Sequence, residues 1–551
     1  MAHIISGAAG SGKTTALYSL LKTDKGNKVL LVPDQFVFES ERRVADELDE
    51  KTSGIMVTGF MSLAEKILKK YCPRKIYADS TAKLAIMSRA VKSLAESFDF
   101  YGSAAKKPGF VSVCLSGVET LKSAGISSQK LYDIIAEDST VSSAPAHFTD
   151  KMHDIALFYS LYDKMLTELY DDRQDNLLLA ARTIAENDCF PKNTRVYIDG
   201  FDSFSGAQKE FLRAMADKGV DFTVAVCTND SGAEIFSECD KTKALFENQY
   251  AMDCGKPQKT EYTKLGDSAV RYKNDTLRVL RDLLQGGKAE KPADPHGVTL
   301  AYSRNMSGEA DFVCANIRKL VRCEGYRYSD IAVICAAPAK YRDAVRSAAL
   351  RYEVPIFADL PEPVSEKPLL RYLDCLLCAA EEPTGIKVLR YIRSGFARIP
   401  SDKKEGKTVP LTLRDQHIVE EYANRWDLKN RRWDRPFPHI TDDAEKAVEN
   451  IRNKIVSPLT EFEKSVRNVG GKELVRRFTE FLFDKADISA AIQGKCQDNS
   501  TRQLRYVKEL TEEYNNLWRN VSDMLTSLYE TLDDTPMTAS LRRLFVPARL
   551  R

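Results

Sequence analysis

The chain has 551 residues, with 81 Lys and Arg against 79 Asp and Glu for a formal net charge of +2, and it is 29% charged and 43% apolar. At roughly 150 residues per domain this length holds about three or four domains, which excludes a peptide or a single small core, and the apolar share excludes a chain too polar to fold. With a net charge so near zero, any nucleic-acid surface must be a local patch.

The first residues alternate short apolar runs with amphipathic ones: Ile4 and Ile5, a helical pattern through Leu17 and Leu21, then an apolar strand over 28–32 ended by Pro33. That is the rhythm of a βαβ unit. From about Ser80 to Glu186 the period becomes helical, with Leu84, Met87, Ala90, Val91 and Leu94 on one face and Ile155, Phe158, Tyr159 and Tyr162 on another, so a helical block interrupts the α/β pattern. Strand character returns over 195–199 and 222–227, both short and apolar as buried parallel strands are. The stretch 286–296 supplies Gly and Pro but little to bury and reads as a linker. A second α/β unit is expected after it: strands over 298–302, 331–335 and 355–358, with helices from Glu309 through Ile317 to Val321 and after Lys340. From about Pro368 the pattern is helical, as in Val507, Leu510, Tyr514, Leu517 and Val521.

The first residues lack a basic segment followed by a long apolar one, and no later run nears the roughly 18 apolar residues of a membrane helix. A cytoplasmic protein with no membrane partner is expected. The 12 cysteines are scattered through apolar runs, as buried thiols are in a reducing compartment. Cys375 and Cys378 form the one close pair, without a second Cys or His pair to complete a metal site.

Gly7-Ala8-Ala9-Gly10-Ser11-Gly12-Lys13-Thr14 matches GxxxxGK[ST] between a short strand and a helical pattern, the context such a phosphate loop requires. Its glycines let backbone N–H groups curl round phosphate oxygens, Lys13 reaches the β- and γ-phosphates, and the Thr14 hydroxyl ligates Mg²⁺ at a helix N-terminus. ATP and Mg²⁺ are the ligands this implies. A second Mg²⁺ group is expected as an acidic residue ending a neighbouring strand, and Asp199 has that form; a buried strand ending in Asp before a Gly turn is the structural alternative. The residue after it is Gly200, where a second carboxylate would orient the attacking water. Asp202 and Gln208 are substitutes without a compelling spacing. ATP binding is therefore separated from hydrolysis, which is expected to be weak or absent.

Further on, Arg425, Lys429, Arg431, Arg432 and Arg435 cluster about Trp426 and Trp433, pairing cations for phosphates with flat rings for bases. The alternative is that the tryptophans anchor a helical core and the arginines solvate its outside.

Taken together, several stretches resemble the AddB subunits of bacterial AddAB helicase-nucleases, relatives of superfamily 1 helicases. They are SGAAGSGKTT at the start, LVPDQFVFESERR from Leu31, VTGFMSLAEKIL from Val57, VYIDGFDSFSGAQKEFL from Val196, GYRYSDIAVICAAPAKY from Gly325 and EEYANRWDLKNRRW from Glu420. The resemblance implies an α/β fold of two P-loop, RecA-like parallel-sheet lobes with large α-helical insertions. Combined with the periodicity, it divides the chain into lobe 1A (1–75 and 190–285), helical insertion 1B (76–189), a partial lobe 2A (297–370) and a mostly helical 2B-like region (371–551). It also implies an AddA-like motor partner, single- and double-stranded DNA as substrates, and the processing of double-strand breaks. By the same resemblance Gln35, Phe36, Thr58 and Phe60 touch single-stranded DNA, a ring stacking a base while Gln35 and Thr58 bond phosphates; packing of those rings between helices is the alternative. Such subunits run to about twice this length, with a carboxyl-terminal nuclease domain and an iron-sulfur cluster. Neither signature is visible here, so nuclease chemistry and the cluster are expected only in a full-length protein, and Arg542, Arg543, Arg549 and Arg551 read as an exposed end.

The function expected is that of an ATP- and DNA-binding, helicase-like subunit of a helicase-nuclease serving recombinational repair. The alternatives are a standalone P-loop ATPase or helicase, and an interaction scaffold whose loop stays empty.

Overall fold

Short apolar runs separated by helices cannot fold back on one another as hairpins, and they pair here side by side as a parallel sheet. The computed structural model describes residues 2–532 except 49–53, 74, 108, 138–145, 230, 249–251, 254–255, 258–259, 267–273, 289–290, 293–294, 358–363, 365–366, 403–406 and 499–503. Six strands, β1 (Ala2–Gly7), β2 (Lys28–Leu31), β3 (Ile55–Thr58), β4 (Arg195–Ile198), β5 (Asp221–Cys227) and β6 (Thr260–Lys264), lie in the order β3-β2-β4-β5-β1-β6, all parallel. Ile4 stands opposite Val224 and Leu31 opposite Ile198.

Both faces are covered, which is why the central strands send apolar side chains to both sides, as Ile4 and Ile5 do in β1. On one, Ile4, Leu31, Val196, Ile198, Phe222 and Val224 pack against the helices Phe60–Tyr71, Asn176–Glu186 and Gly206–Asp217. On the other, Ile5, Leu30, Tyr197 and Ala225 meet Leu17, Tyr18 and Leu21 of the helix Lys13–Thr23 and Val44 of the helix Val37–Leu48. Each fully buried side chain of this kind contributes about 1.5–3 kcal/mol. The edge strand β6 was not legible, since its residues are half or fully exposed and leave no apolar run to read.

Between β3 and β4 the chain builds a separate helical block from Ser80–Leu94, Phe110–Ser123, Ser128–Glu137 and Ala146–Leu169. Asp79 starts the first of these by accepting the Ala82 N–H at 2.7 Å. Leu84, Met87, Leu115, Phe158, Tyr159 and Tyr162 form its core. At its junction with the sheet, the Lys122 ammonium lies 2.8 Å from Asp163, 3.0 Å from Asp172 and 2.6 Å from Asp175, while Lys83 pairs with Asp172 at 2.5 Å.

The second parallel sheet expected after the linker is not formed among the described residues. The stretches 298–302, 331–335 and 355–357 run without strand pairing, and Leu300, Tyr302, Ile334 and Phe357 are exposed; Ala358 lies outside the described residues. The two helices of this unit do form, as Met306–Cys323 and Pro338–Tyr352, and pack through Ala310, Cys314, Ile317, Ala348 and Ala349. A parallel strand is stable only beside another strand and beneath helices, and here the helices find each other while the strands have no ladder.

From Pro368 the regular elements among the described residues are helices, apart from the short antiparallel pair Arg398–Pro400 and Thr408–Pro410. The last helix, Leu504–Thr531, returns to the helical block: Ser527 donates to Asp79 at 2.8 Å and Tyr170 meets Thr531 at 3.0 Å. Arg542, Arg543, Arg549 and Arg551 lie outside the described residues. Among the described residues, no helix is long and apolar enough to cross a membrane.

Candidate nucleotide site and nucleic-acid interface

All six strands are parallel, so the loops at their carboxyl ends share one edge of the sheet, where the glycine-rich loop, Gln35, Phe36, Thr58, Phe60 and Asp199 gather, while the cluster about Trp426 and Trp433 lies in the helical region after Pro368. The glycine-rich loop leaves β1 at Gly7 and enters the helix Lys13–Thr23 through Gly12, whose φ of 93° is a left-handed value that other residues adopt at a cost. Inside the loop, the Lys13 ammonium donates to the carbonyl oxygens of Gly7 at 2.9 Å and Ala8 at 2.8 Å. The Ser11 hydroxyl is buried there with no hydrogen-bond partner among the described residues. A loop that folds its cation onto its own carbonyls and leaves a buried hydroxyl unsatisfied suits an anion with several acceptor oxygens, as a phosphate chain has. Gly10 is also left-handed, at 77°, and Ala9 faces the adjoining cavity.

β4 lies one strand away from β1, with β5 between them. Asp199 directly follows β4. Burial pushes its carboxyl above the usual range, while the nearby Thr14 hydroxyl and Gly200 N–H and the charges of Arg43 and Lys13 pull it back without cancelling the rise. A hydroxyl and a carboxylate thus stand close together beside the glycine-rich loop, oxygen groups of the kind a hard cation takes.

Gly200 has a φ of 80°, and a Cβ there would lie 3.3 Å from Pro33 Cδ. A carboxylate at this place would need a backbone conformation that L side chains rarely adopt, a reason for glycine after Asp199. Of the two substitutes, Gln208 is committed to a helix start: its side chain accepts the Ser205 N–H at 2.8 Å and its N–H donates to the Ser205 hydroxyl at 3.3 Å. Asp202 lines a cavity of about 560 Å³ beside Ala9, walled by Cys227, Leu277, Leu280 and Arg281, and accepts from Cys239 Sγ at 3.5 Å.

Sequence reasoning missed Arg43. Its guanidinium stacks over the Tyr18 ring at 4.3 Å, pairs with Glu47 at 2.7 Å and bears on Asp199 electrostatically. Within ESERR nothing distinguishes it from the charged outer face of any helix.

The candidate DNA contacts divide by exposure. Gln35 and Phe36 lie exposed in the short turn Asp34–Phe36 after β2, Phe36 at 43%. The Val32 N–H donates to the Thr58 carbonyl at 3.1 Å and holds the next loop alongside, but the Thr58 side chain is buried with its hydroxyl on the Gly59 carbonyl at 3.2 Å. Phe60 is enclosed against Phe201 and Phe204, with ring centroids 5.3 and 5.8 Å away.

In the basic cluster, Trp433 is fully buried and its Nε1 donates to the Leu428 carbonyl at 3.0 Å, so no face of its ring is open to a base. Trp426 is partly buried and stacks on His439 at 4.1 Å. Arg425 pairs with Glu421 at 3.2 Å and Arg432 with Asp434 at 3.0 Å, while Arg431 is exposed. Among the described residues, no group of three or more His, Cys, Asp or Glu is arranged to hold a metal ion, and Cys375 and Cys378 are partly buried on the helix Pro368–Glu381.

Residues 4–277 match the family model described as ADDB, N-terminal. The chain is 24% identical to the B subunit of the ATP-dependent helicase/deoxyribonuclease of Clostridium botulinum (strain Loch Maree / Type A3), over 96% of this chain and 47% of that protein. It is 23% identical to proteins of the same name from Bacillus mycoides (strain KBAB4), over 98% of this chain and 48% of that one, and from Thermoanaerobacter sp. (strain X514), over 98% and 47%. The chain spans about half the length of the curated relatives it matches.

Proposed function

The amino-terminal half of this chain belongs to the ADDB N-terminal family, and from that premise we propose that it is an ATP- and DNA-binding, helicase-like subunit of a helicase-nuclease that processes double-strand breaks. It acts in the cytoplasm beside an AddA-like motor, with little or no ATPase of its own. The relatives are named as the B subunit of an ATP-dependent helicase/deoxyribonuclease, which supports both ATP and a DNA substrate. The observation that carries the nucleotide reading is the loop itself, with the Lys13 ammonium on the Gly7 and Ala8 carbonyls and the Ser11 hydroxyl buried without a partner among the described residues.

In this reading Gly7 to Gly12 enclose the phosphates with backbone N–H groups, Lys13 leaves the Gly7 and Ala8 carbonyls for the phosphate oxygens, and Thr14 and Asp199 hold Mg²⁺. The metal, when bound, neutralises phosphate charge. Arg43 keeps positive potential beside Asp199. Weak hydrolysis follows from Gly200, which leaves no carboxylate next to Asp199 to activate water. Gln35 and Phe36, exposed at the same edge, are the contacts offered to a single strand.

Thermal unfolding with increasing Mg-ATP tests this. At a concentration about 100 times Kd, the intact loop gains about 2.7 kcal/mol; Lys13→Ala should abolish that gain and Asp199→Asn should remove its Mg²⁺ dependence. No stabilisation of the unmodified chain favours the scaffold reading. DNA-stimulated phosphate release at many turnovers per second, lost in Lys13→Ala, favours an active motor.

A further inference from the structure

The helical region after Pro368 holds a second basic feature, apart from the nucleotide edge and from the tryptophan cluster. The helices Pro368–Glu381 and Gly385–Ile392 bury their apolar faces together through Leu369, Leu373, Leu376, Val388, Leu389 and Ile392. What they leave between their outer faces is an open cleft of about 620 Å³, lined by Pro368, Arg371, Asp374, Cys375, Arg390, Arg393 and Ser394. Three arginines from two elements thus face one space, and all three are exposed. Asp374 is the one carboxylate among these lining residues, which leaves the cleft net positive.

Their pairing differs. Arg393 is fixed by Glu420, with its Nε 3.2 Å from that carboxylate. Neither Arg371 nor Arg390 has an ion pair among the described residues, although most arginines of this helical region do, as Arg398 does with Asp487, Arg452 with Glu449 and Arg476 with Glu473. Two guanidiniums held near each other without ion pairs of their own repel, and an anion between them relieves that repulsion. No aromatic ring lines the cleft, so it offers no platform on which a base would stack.

We propose that this cleft binds the phosphodiester backbone of a single nucleic-acid strand through Arg371 and Arg390, with Arg393 held ready by Glu420, and without reading its sequence. The inference rests on the DNA-binding function proposed above and adds a contact site to it. The volume suits one or two nucleotides rather than a duplex, and recognition by charge alone makes the contact dependent on salt and indifferent to base.

Fluorescence anisotropy of the full chain without nucleotide, using labelled oligothymidylate and a mixed-sequence single strand across a salt series, provides the test. Each phosphate contact contributes about 0.7 to the slope of log affinity against log salt, so Arg371→Gln with Arg390→Gln should lower the slope by about 1.4 for both strands. Affinity at low salt should fall roughly tenfold. The paired Arg371→Lys and Arg390→Lys variant, which keeps charge, should retain most of the binding, and both variants should unfold at the temperature of the unmodified chain. If the glutamine pair binds with an unchanged slope while the unmodified chain binds DNA, the cleft is not a strand contact and the DNA reading survives. If the unmodified chain binds no DNA, both fall. Stabilisation by inorganic phosphate that the glutamine pair loses, with the DNA slope unchanged, assigns the cleft to a small anion and overturns the strand.

Discussion

Gly200 ties the weak hydrolysis proposed above to backbone geometry. The residue after Asp199 sits at a φ of 80° with Pro33 Cδ 3.3 Å from where a Cβ would lie, so the position that would carry an activating carboxylate is shaped for glycine. Introducing Gly200→Glu should destabilise the chain by about 1–2 kcal/mol, the cost of a left-handed L-residue, and should not raise phosphate release. Denaturant unfolding reads the first effect and a steady-state ATPase assay the second. A gain of turnover with unchanged stability would mean that the loop rearranges freely and that the missing carboxylate alone limits hydrolysis. Asp199 reports the same tension from the other side: its carboxyl is raised by burial despite the Thr14 hydroxyl nearby. Folding therefore favours its protonated form, and Mg²⁺ binding that needs the carboxylate should weaken as the pH falls into that raised range.

At the scale of elements, the helical block is joined to the sheet lobe through ions rather than apolar contact alone. Lys122 and Asp172 are almost wholly enclosed, at 1% and 2% side-chain exposure. Burial alone would discharge both, but Asp175, Asp163 and Asp172 together keep Lys122 charged well above the usual lysine range, and Lys122 and Lys83 hold the Asp172 carboxyl below its ordinary value. Removing one partner leaves the rest buried and uncompensated, so Lys122→Met should cost about 3–5 kcal/mol. Asp172, lowered on folding, adds stability above its unfolded pKa and loses it as the pH falls through the folded one, while Asp175, raised by burial, runs the other way; without Lys122 both carboxyls would rise. The unmodified chain should therefore lose stability in acid more steeply than Lys122→Met, measured as denaturant midpoints from neutral pH downward. Parallel pH profiles would assign the cluster no linkage role.

For the molecule as a whole, legibility tracked how far a residue's role depends on its own neighbours in sequence. The glycine-rich turn between a strand and a helix was readable because its residues follow one another in sequence, and the place of Asp199 after a strand because an apolar run announces its own end. Arg43 was not, since its position over Tyr18 arises only when two distant helices pack on one sheet face. Trp433 read equally as a base platform or a core anchor, and its enclosure is decided by chain far from it, including Gly385, where a Cβ would lie 2.6 Å from the indole Nε1, and Arg452, which donates to the Trp433 carbonyl at 2.5 Å. The segments 298–302, 331–335 and 355–357 mark a different limit: an apolar run tells what a segment would bury against, not whether a neighbouring strand is there to receive it. Left unpaired, they present Leu300, Tyr302, Ile334 and Phe357 to solvent at 77%, 90%, 96% and 95% exposure. Apolar extended backbone with open hydrogen-bonding groups is a template for pairing with another chain. The isolated chain should therefore self-associate as concentration rises, with light scattering after size exclusion giving a mass that grows with loading. Ile334→Lys with Phe357→Lys should suppress that growth without lowering the unfolding temperature, because neither side chain is buried in the folded monomer. A chain that stays monomeric at every concentration would mean that these segments find partners within their own fold.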